Sequence, residues 1–175
     1  MRDFVIAALL AIAITNPAFG DLVQETCAKV AKSDPTVNIN FCISVLNGDS
    51  SGRTAVSIEQ LELASLKLGI ANATSVRARV KALLTQTGQF DPYSVTCLKD
   101  CLELYSDATY TLQQAVGDIK ARDYMKANQD VSAAMGNSDT CEDQFGEKGK
   151  TSPLKKENGL FSQLTAISLA ITNML

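Results

Sequence analysis

The residues with the widest chemical scope in this 175-residue chain are its five cysteines. Cysteines can pair as disulfides, bind a metal ion or act as nucleophiles, and nucleophilic catalysis needs an adjacent base. The chain contains no histidine, which excludes Cys-His and Ser-His-Asp triads and removes the commonest metal ligand. No two cysteines have C-x-x-C spacing, and the adjacent acids Glu142 and Asp143 diverge by about 100° on a helix. We therefore predict no catalytic residue, no metal site and no cofactor, and we expect both acids to be solvated.

The N-terminus has the three parts of a secretory signal peptide. Arg2 precedes an unbroken apolar run over residues 4–14, and the small residues Ala18 and Gly20 follow where a signal peptidase needs them. The apolar run is shorter than the roughly 20 residues that span a bilayer. We predict a signal peptide over residues 1–20 and a secreted, extracellular mature chain over residues 21–175 that does not bind a membrane. All five cysteines then lie in an oxidising compartment, where disulfides persist.

Apolar residues recur with helical spacing along most of the mature chain. The clearest stripe runs through residues 93–120, after an Asp91-Pro92 start signal. A capping box over residues 57–60 predicts a helix to about Gln86, and a third helix is expected over residues 124–145, interrupted or bent near residues 136–138. The last helix follows Ser152-Pro153. Its predicted apolar face consists of Leu160, Leu164, Ile167, Ile171 and Leu175.

Short connections between long helices favour antiparallel neighbours. We predict an all-α fold, an antiparallel up-down-up-down four-helix bundle over residues 54–175. Two short apolar segments around Asp34-Pro35 predict a helical hairpin over residues 21–49.

The cysteine positions favour certain pairings without fixing them. A Cys27–Cys42 bond would close the hairpin, whose own core is too small to hold it together. Cys101 lies nearer the buried stripe than Cys97, which makes it the better partner for Cys141 and leaves Cys97 as a free thiol. A buried, unreactive Cys97 is favoured over a functional or dimer-forming one, and a Cys97–Cys141 bond remains the alternative.

The charges argue against one class of partner. Acidic residues outnumber basic ones by 19 to 16, which gives a net charge of −3, whereas a nucleic-acid binder would show a clustered basic face. We therefore predict that the protein does not bind nucleic acid. Because histidine is absent, carboxylates must cause any change in binding at acidic pH, unless the partner titrates.

Three segments resemble a known family. Residues 100–108, D-C-L-E-L-Y-S-D-A, resemble the D-C-x-E-L-Y-x-D-A signature of the plant invertase and pectin methylesterase inhibitor family, and residues 140–145, T-C-E-D-Q-F, resemble its T-C-E-D-x-F segment. Residues 152–170 are similar to the family's final helix. The resemblance covers the mature chain and is greatest to pollen-allergen members named as invertase inhibitors. It implies a four-helix bundle with an N-terminal hairpin, the pairs Cys27–Cys42 and Cys101–Cys141, and an extra cysteine at Cys97.

The resemblance also implies a function. Family members inhibit secreted enzymes of the plant cell wall, so we expect a monomeric inhibitor of invertase that blocks the active-site cleft without a covalent bond. The family's inhibitory loop corresponds here to residues 120–126, where many invertase inhibitors carry Pro-Lys-Phe and this chain does not. The candidate target-binding residues are Arg122, Asp123, Tyr124, Met125 and Lys126. Arg122 or Lys126 would supply a cation and Tyr124 an aromatic anchor, unless Asp123 only caps a helix, Tyr124 only packs and the cations are solvated.

Two other functions remain open at this stage. Pectin methylesterase inhibitors use the side of the bundle, so pectin methylesterase is the alternative target. A non-inhibitory secreted helical protein, or a carrier of apolar ligands, is the second alternative.

Asn72-Ala73-Thr74 is the single N-x-[ST] acceptor, and we predict Asn72 as a candidate glycosylation site on the face of Leu61 and Leu68.

Overall fold

The computed structural model describes residues 18–86 and 88–175. Within these ranges the chain forms seven α-helices and no strand. The helices are α1 (Ala18–Ser33), α2 (Ile39–Gly48), α3 (Ser50–Arg53), α4 (Ile58–Leu84), α5 (Pro92–Ala121), α6 (Tyr124–Gly146) and α7 (Lys155–Thr172). Most of the predicted signal peptide, residues 1–17, lies outside the described residues. None of the described helices is long and apolar enough to cross a membrane.

The helix starts follow the capping signals in the sequence. Ser57 accepts a hydrogen bond from the Gln60 backbone N–H at 3.2 Å, and the Gln60 side chain accepts one from the Val56 N–H at 2.9 Å. Asp91 accepts from the backbone N–H groups of the first turn of α5, where Pro92 occupies the first helical position. These caps satisfy backbone donors that a helix end otherwise leaves without a partner.

The predicted fold class is confirmed. Helices α4 to α7 pack as a ring in which each helix contacts the next and α7 returns to α4. Tyr105 and Phe161 meet edge to face in the main core, with ring centroids 5.2 Å apart. A second core joins the α1–α2 hairpin to α4 and α7. Its fully buried members include Val23, Val30, Leu46, Leu61 and Ile171.

Two details of the sequence prediction are wrong. Helix α6 runs unbroken through Gly136, because a glycine with open space around it lowers helix propensity without breaking the hydrogen-bond ladder. Leu160 does not belong to the buried face of α7, since its side chain is 39% exposed. Phe161, the next residue, enters the core instead, and Leu160 lies at the edge of the helix–hairpin contact.

Two glycines are expected to respond in opposite ways to alanine. At Gly52 an added Cβ would collide with the Leu46 carbonyl, so Gly52→Ala should lower the free energy of unfolding by about 1–3 kcal/mol. At Gly136 no atom lies within 4 Å of the added Cβ, so Gly136→Ala should raise it by about 0.5–1 kcal/mol. Urea denaturation of both variants measures these changes. Equal effects at the two positions would contradict the close backbone contact at Gly52.

Candidate functional site

Two disulfides fasten the helices that carry the site. Cys27 and Cys42 join α1 to α2 with a Cα–Cα distance of 5.7 Å, and Cys101 and Cys141 join α5 to α6 at 5.1 Å. These are the pairs that the family resemblance implies. Cys97 is a buried free thiol, 2% exposed, within the main core. The second disulfide holds together the two helices whose connection forms the candidate site.

The turn between α5 and α6 is only two residues long and has a fixed backbone. Arg122 adopts the left-handed conformation with φ of 62°, and the backbone N–H of Asp123 bonds to the Asp118 carbonyl at 2.9 Å. The Arg122 N–H bonds to the Ile119 carbonyl at 3.0 Å, which completes a Schellman motif. Arginine is an uncommon residue in this conformation, which glycine or asparagine usually occupies. The turn therefore projects at the end of the bundle with Arg122 at its tip.

Glu59, in the first turn of α4, holds this turn from the side. Its Oε1 accepts a hydrogen bond from the Tyr124 hydroxyl and lies 3.7 Å from the Arg122 Nε. The bond to Glu59, followed by partial burial, raises the pKa of Tyr124, so the phenol stays protonated and donating. The sequence prediction missed Glu59. Its position in the first turn of α4 indicated a favourable place for an acid, but not a contact with a turn that lies far along the chain.

Asp123 and Lys126 have structural partners. Asp123 caps α6 by accepting from the Lys126 backbone N–H at 3.2 Å. The Lys126 ammonium lies 2.7 Å from Asp118 and 3.2 Å from Asp130, and these two carboxylates raise its pKa. Lys126 is therefore engaged with two acids of this chain at short distance, whereas Arg122 has only the longer 3.7 Å contact with Glu59 and is the more exposed cation of the two.

The exposed residues at the turn include a cation and a large apolar group. The Arg122 side chain is 78% exposed, and Met125 is 75% exposed although it is a large apolar residue. Beside them lies a shallow hollow of about 350 Å³ at the end of the bundle. It is lined by Tyr124, Met125, Asn128, Gln129, Thr172 and Asn173. We call the segment Arg122–Met125 the tip. It presents one cation and one flexible apolar group on a fixed backbone.

A buried polar cluster beside the second disulfide was also missed. The Tyr105 hydroxyl donates to Asn158 Oδ1 at 2.8 Å, and Asn158 Nδ2 donates to Glu142 at 2.8 Å. The expectation that Glu142 is a solvated charge is therefore wrong, because Asn158 holds it half-buried between α6 and α7. Asp143 is exposed, as expected.

Of the carboxyl groups whose burial the structure describes, Glu62 is the one most completely removed from water. It lies on the inner face of α4 and is fully buried, and its Oε1 accepts from the hydroxyls of Ser168 and Thr172 on α7. Burial raises the pKa of Glu62 well above its ordinary value, against a smaller lowering by the two hydroxyls. The spacing of Glu62 in the sequence could have predicted its burial. Glu62 falls four residues after Ile58 and four before Leu66, on the stripe that faces the core.

Asn72, the predicted glycosylation site, lies in the middle of α4. Its residue is half-buried and lines a hollow with Leu160 and Leu164. Its side-chain oxygen is buried and has no hydrogen-bond partner among the described residues. Glycosylation of Asn72 stays a prediction that a mass shift after glycosidase treatment would test.

Comparison with known proteins decides the family. The sequence profile of a family described as "Plant invertase/pectin methylesterase inhibitor" matches residues 21–171. The chain belongs to this family. Because the family consists of protein inhibitors, membership confirms the prediction that the chain is an inhibitor and not an enzyme. It also makes an enzyme of the kind named in the family description the partner.

Individual family members agree with this assignment. A Platanus acerifolia protein named "Putative invertase inhibitor" is 43% identical over 156 residues, which cover 89% of this chain and 86% of that protein. An Arabidopsis thaliana protein named "Pectinesterase inhibitor 12" is 39% identical over 154 residues, or 88% of this chain and 87% of that one. The crystal structure of a mutant form of an Arabidopsis pectin methylesterase inhibitor matches with a TM-score of 0.70 and 27% identity. That match covers 84% of this chain and 96% of the other.

Proposed function

We propose that this chain is a secreted inhibitor of invertase that blocks the enzyme by inserting the tip into its active-site cleft. The observation that carries the proposal is the geometry of the tip. A two-residue turn projects from the end of the bundle with Arg122 and Met125 exposed, and Glu59 and the Schellman motif restrain its conformation.

The chemistry of the target explains why such a tip can inhibit. Enzymes that hydrolyse glycosidic bonds use a pair of carboxyl groups on either side of the scissile bond. A guanidinium group is always charged and can bond both oxygens of a carboxylate, so Arg122 is suited to occupy the space between them. Because the turn is already ordered, little conformational entropy is lost on binding. Met125 can adapt its shape to an apolar wall of the cleft.

The names of the relatives support invertase as the target enzyme and leave pectin methylesterase as a second candidate target. The 43% identical Platanus protein is named as an invertase inhibitor, whereas the 39% identical Arabidopsis protein and the structural neighbour are pectin methylesterase inhibitors. Inhibition of pectin methylesterase by the side of the bundle is therefore the alternative. The two functions make opposite predictions for the tip, which only the first one requires.

Removing the charge at the tip is expected to weaken inhibition of invertase. If Arg122 is an interface hot spot, Arg122→Ala should raise the inhibition constant about 30-fold, equivalent to about 2 kcal/mol. Lys81→Ala is the matched control, because Lys81 is an exposed cation at the far end of α4. It should leave the inhibition constant within about twofold. Equal inhibition constants for the two variants would contradict a role for the tip.

We further propose secretion to the cell wall as a monomer. The N-terminal sequence pattern and the two disulfides support an oxidising, extracellular location. Expression of the full chain in plant cells should release a protein that begins at Asp21. Sedimentation of that protein should give the mass of one chain, and a dimer would contradict the monomer proposal.

A further inference from the structure

A groove runs along the seam between α4 and α5, close to the tip. Its volume is about 550 Å³. It is lined by Leu63, Lys67, Ile70, Ala71, Val116 and Lys120. Leu63, Ile70 and Val116 are half-buried, because one side of each packs on the main core and the other side faces the groove. The floor of the groove is thus apolar and belongs to the rigid core, and exposed lysines stand on its rims.

The groove is continuous with the tip. Lys120 belongs to the last turn of α5 and precedes Arg122 by two residues. On the facing helix, Leu63 lies one turn after Glu59, whose carboxylate contacts both Arg122 and Tyr124. A protein that covers the tip therefore reaches the mouth of the groove without crossing another helix.

The tip alone offers too little surface for a stable complex. Specific protein–protein interfaces bury about 800 Å² on each partner and involve about 20–30 residues per side. The tip spans the four residues of Arg122–Met125. An inhibitor that binds through the tip must therefore bury a second surface, and the groove is an apolar surface that begins at the tip's edge.

We propose that the target enzyme also occupies this groove, with an apolar side chain of the enzyme seated on Leu63, Ile70 and Val116. The inference rests on the proposed function, since the same enzyme covers the tip and the groove. The charges on the rims of the groove indicate which group of the enzyme lies beside that apolar side chain. Lys67 is paired with Asp49 at 2.8 Å, whereas Lys120 has no ion-pair partner among the described residues. The enzyme segment therefore carries a carboxylate next to its apolar group, on the side that faces Lys120.

The groove can be blocked without disturbing the core. Ala71 is an exposed residue of α4 that lines the groove, so Ala71→Arg places a long side chain in it and keeps a good helix former. The matched control is Ala133→Arg on α6, because Ala133 is also exposed and does not line the groove. The thermal midpoints of both variants should equal that of the parent chain.

The experiment measures inhibition of a purified plant cell-wall invertase by the parent chain, Ala71→Arg, Ala133→Arg and Arg122→Ala. We expect Ala71→Arg to raise the inhibition constant at least tenfold and Ala133→Arg to change it less than twofold. Lys120→Glu should lower the association rate and reduce its dependence on salt, because a rim charge acts mainly on the rate of encounter.

The outcomes separate the groove from the tip. If Ala71→Arg inhibits as strongly as the parent chain and Arg122→Ala does not, the groove proposal is overturned and the tip proposal stands. If Ala71→Arg loses inhibition and Arg122→Ala inhibits as strongly as the parent chain, the groove proposal is supported and the tip proposal is overturned. If the parent chain does not inhibit invertase at all, the proposed function fails and the groove inference fails with it.

Discussion

Replacing Cys101 and Cys141 together by alanine is expected to lower the free energy of unfolding by about 4 kcal/mol. The disulfide closes a loop with a sequence separation of 40 residues, and its loss restores conformational freedom to the unfolded chain. The Cys27–Cys42 bond closes a separation of 15 residues, so its removal should cost about 3 kcal/mol. The first double variant should therefore be the less stable of the two.

Cys97 provides the control for this comparison. Cys97→Ala also removes a buried sulfur from the main core but opens no covalent loop. We expect it to cost clearly less than either double variant. Urea denaturation under non-reducing conditions gives all three values. A loss in Cys97→Ala equal to that of the Cys101/Cys141 variant would show that sulfur packing, rather than the cross-link, stabilises the bundle.

Between about pH 5 and 8 the stability of the protein should fall as the pH rises, and Glu62 should be responsible. In the unfolded chain a glutamate ionises near its ordinary pKa of about 4.3. In the folded protein burial between α4 and α7 raises the pKa of Glu62 well above that value. At Glu62 the folded state then binds more protons than the unfolded state above about pH 4.3, so the contribution of Glu62 to the free energy of unfolding decreases with pH. The stabilisation is complete below the unfolded pKa and is lost as the pH rises through the folded one.

The size and origin of this effect can be isolated. A single group produces a slope of at most about 1.4 kcal/mol per pH unit. The chain has no histidine, so no side chain with an ordinary pKa titrates between about pH 5 and 8. Glu62→Gln keeps the shape of the side chain and an oxygen that can accept from Ser168 and Thr172, but it cannot ionise. We therefore expect a flat stability profile for Glu62→Gln between about pH 5 and 8.

An exposed acid serves as the control for Glu62. Asp143→Asn removes a carboxylate that faces solvent on α6, so the slope of the parent chain should persist in this variant. Urea denaturation at several pH values measures both profiles. A parent chain whose stability rises with pH in this window, or a slope that survives in Glu62→Gln, would contradict the assignment.

Much of the fold could be predicted from the sequence, because local signals and the global packing agree. The carboxylate of Asp91 and the box at Ser57 each begin a helix where the sequence places it, and the stripe along residues 93–120 faces the main core. The interruption expected near Gly136 is absent, because propensity is a weak term that packing along the rest of α6 overrides. The prediction that Leu160 lies on the buried face of α7 also failed, because one apolar residue at the edge of an apolar stripe can face solvent at little cost.

The candidate site could be predicted only in part. The position of the turn follows from the helix pattern, and Arg122 lies in that turn with Tyr124 and Met125 in the first turn of α6. The hydrogen-bond and ion-pair partners at the turn could not be predicted from the sequence. Glu59 and Tyr124, for example, are 65 residues apart in sequence and meet only when the ring of helices closes. For the same reason the sequence could not show that Lys126 pairs with Asp118 and Asp130, whereas Arg122 remains largely exposed.

One measurement tests the central claim, that the chain inhibits a secreted invertase through its tip. The purified mature chain is titrated at acidic pH against a plant cell-wall invertase and a plant pectin methylesterase, with Arg122→Ala alongside. We predict inhibition of invertase that is weakened about 30-fold in Arg122→Ala. Inhibition of pectin methylesterase alone, or inhibition of invertase that Arg122→Ala leaves unchanged, would contradict it.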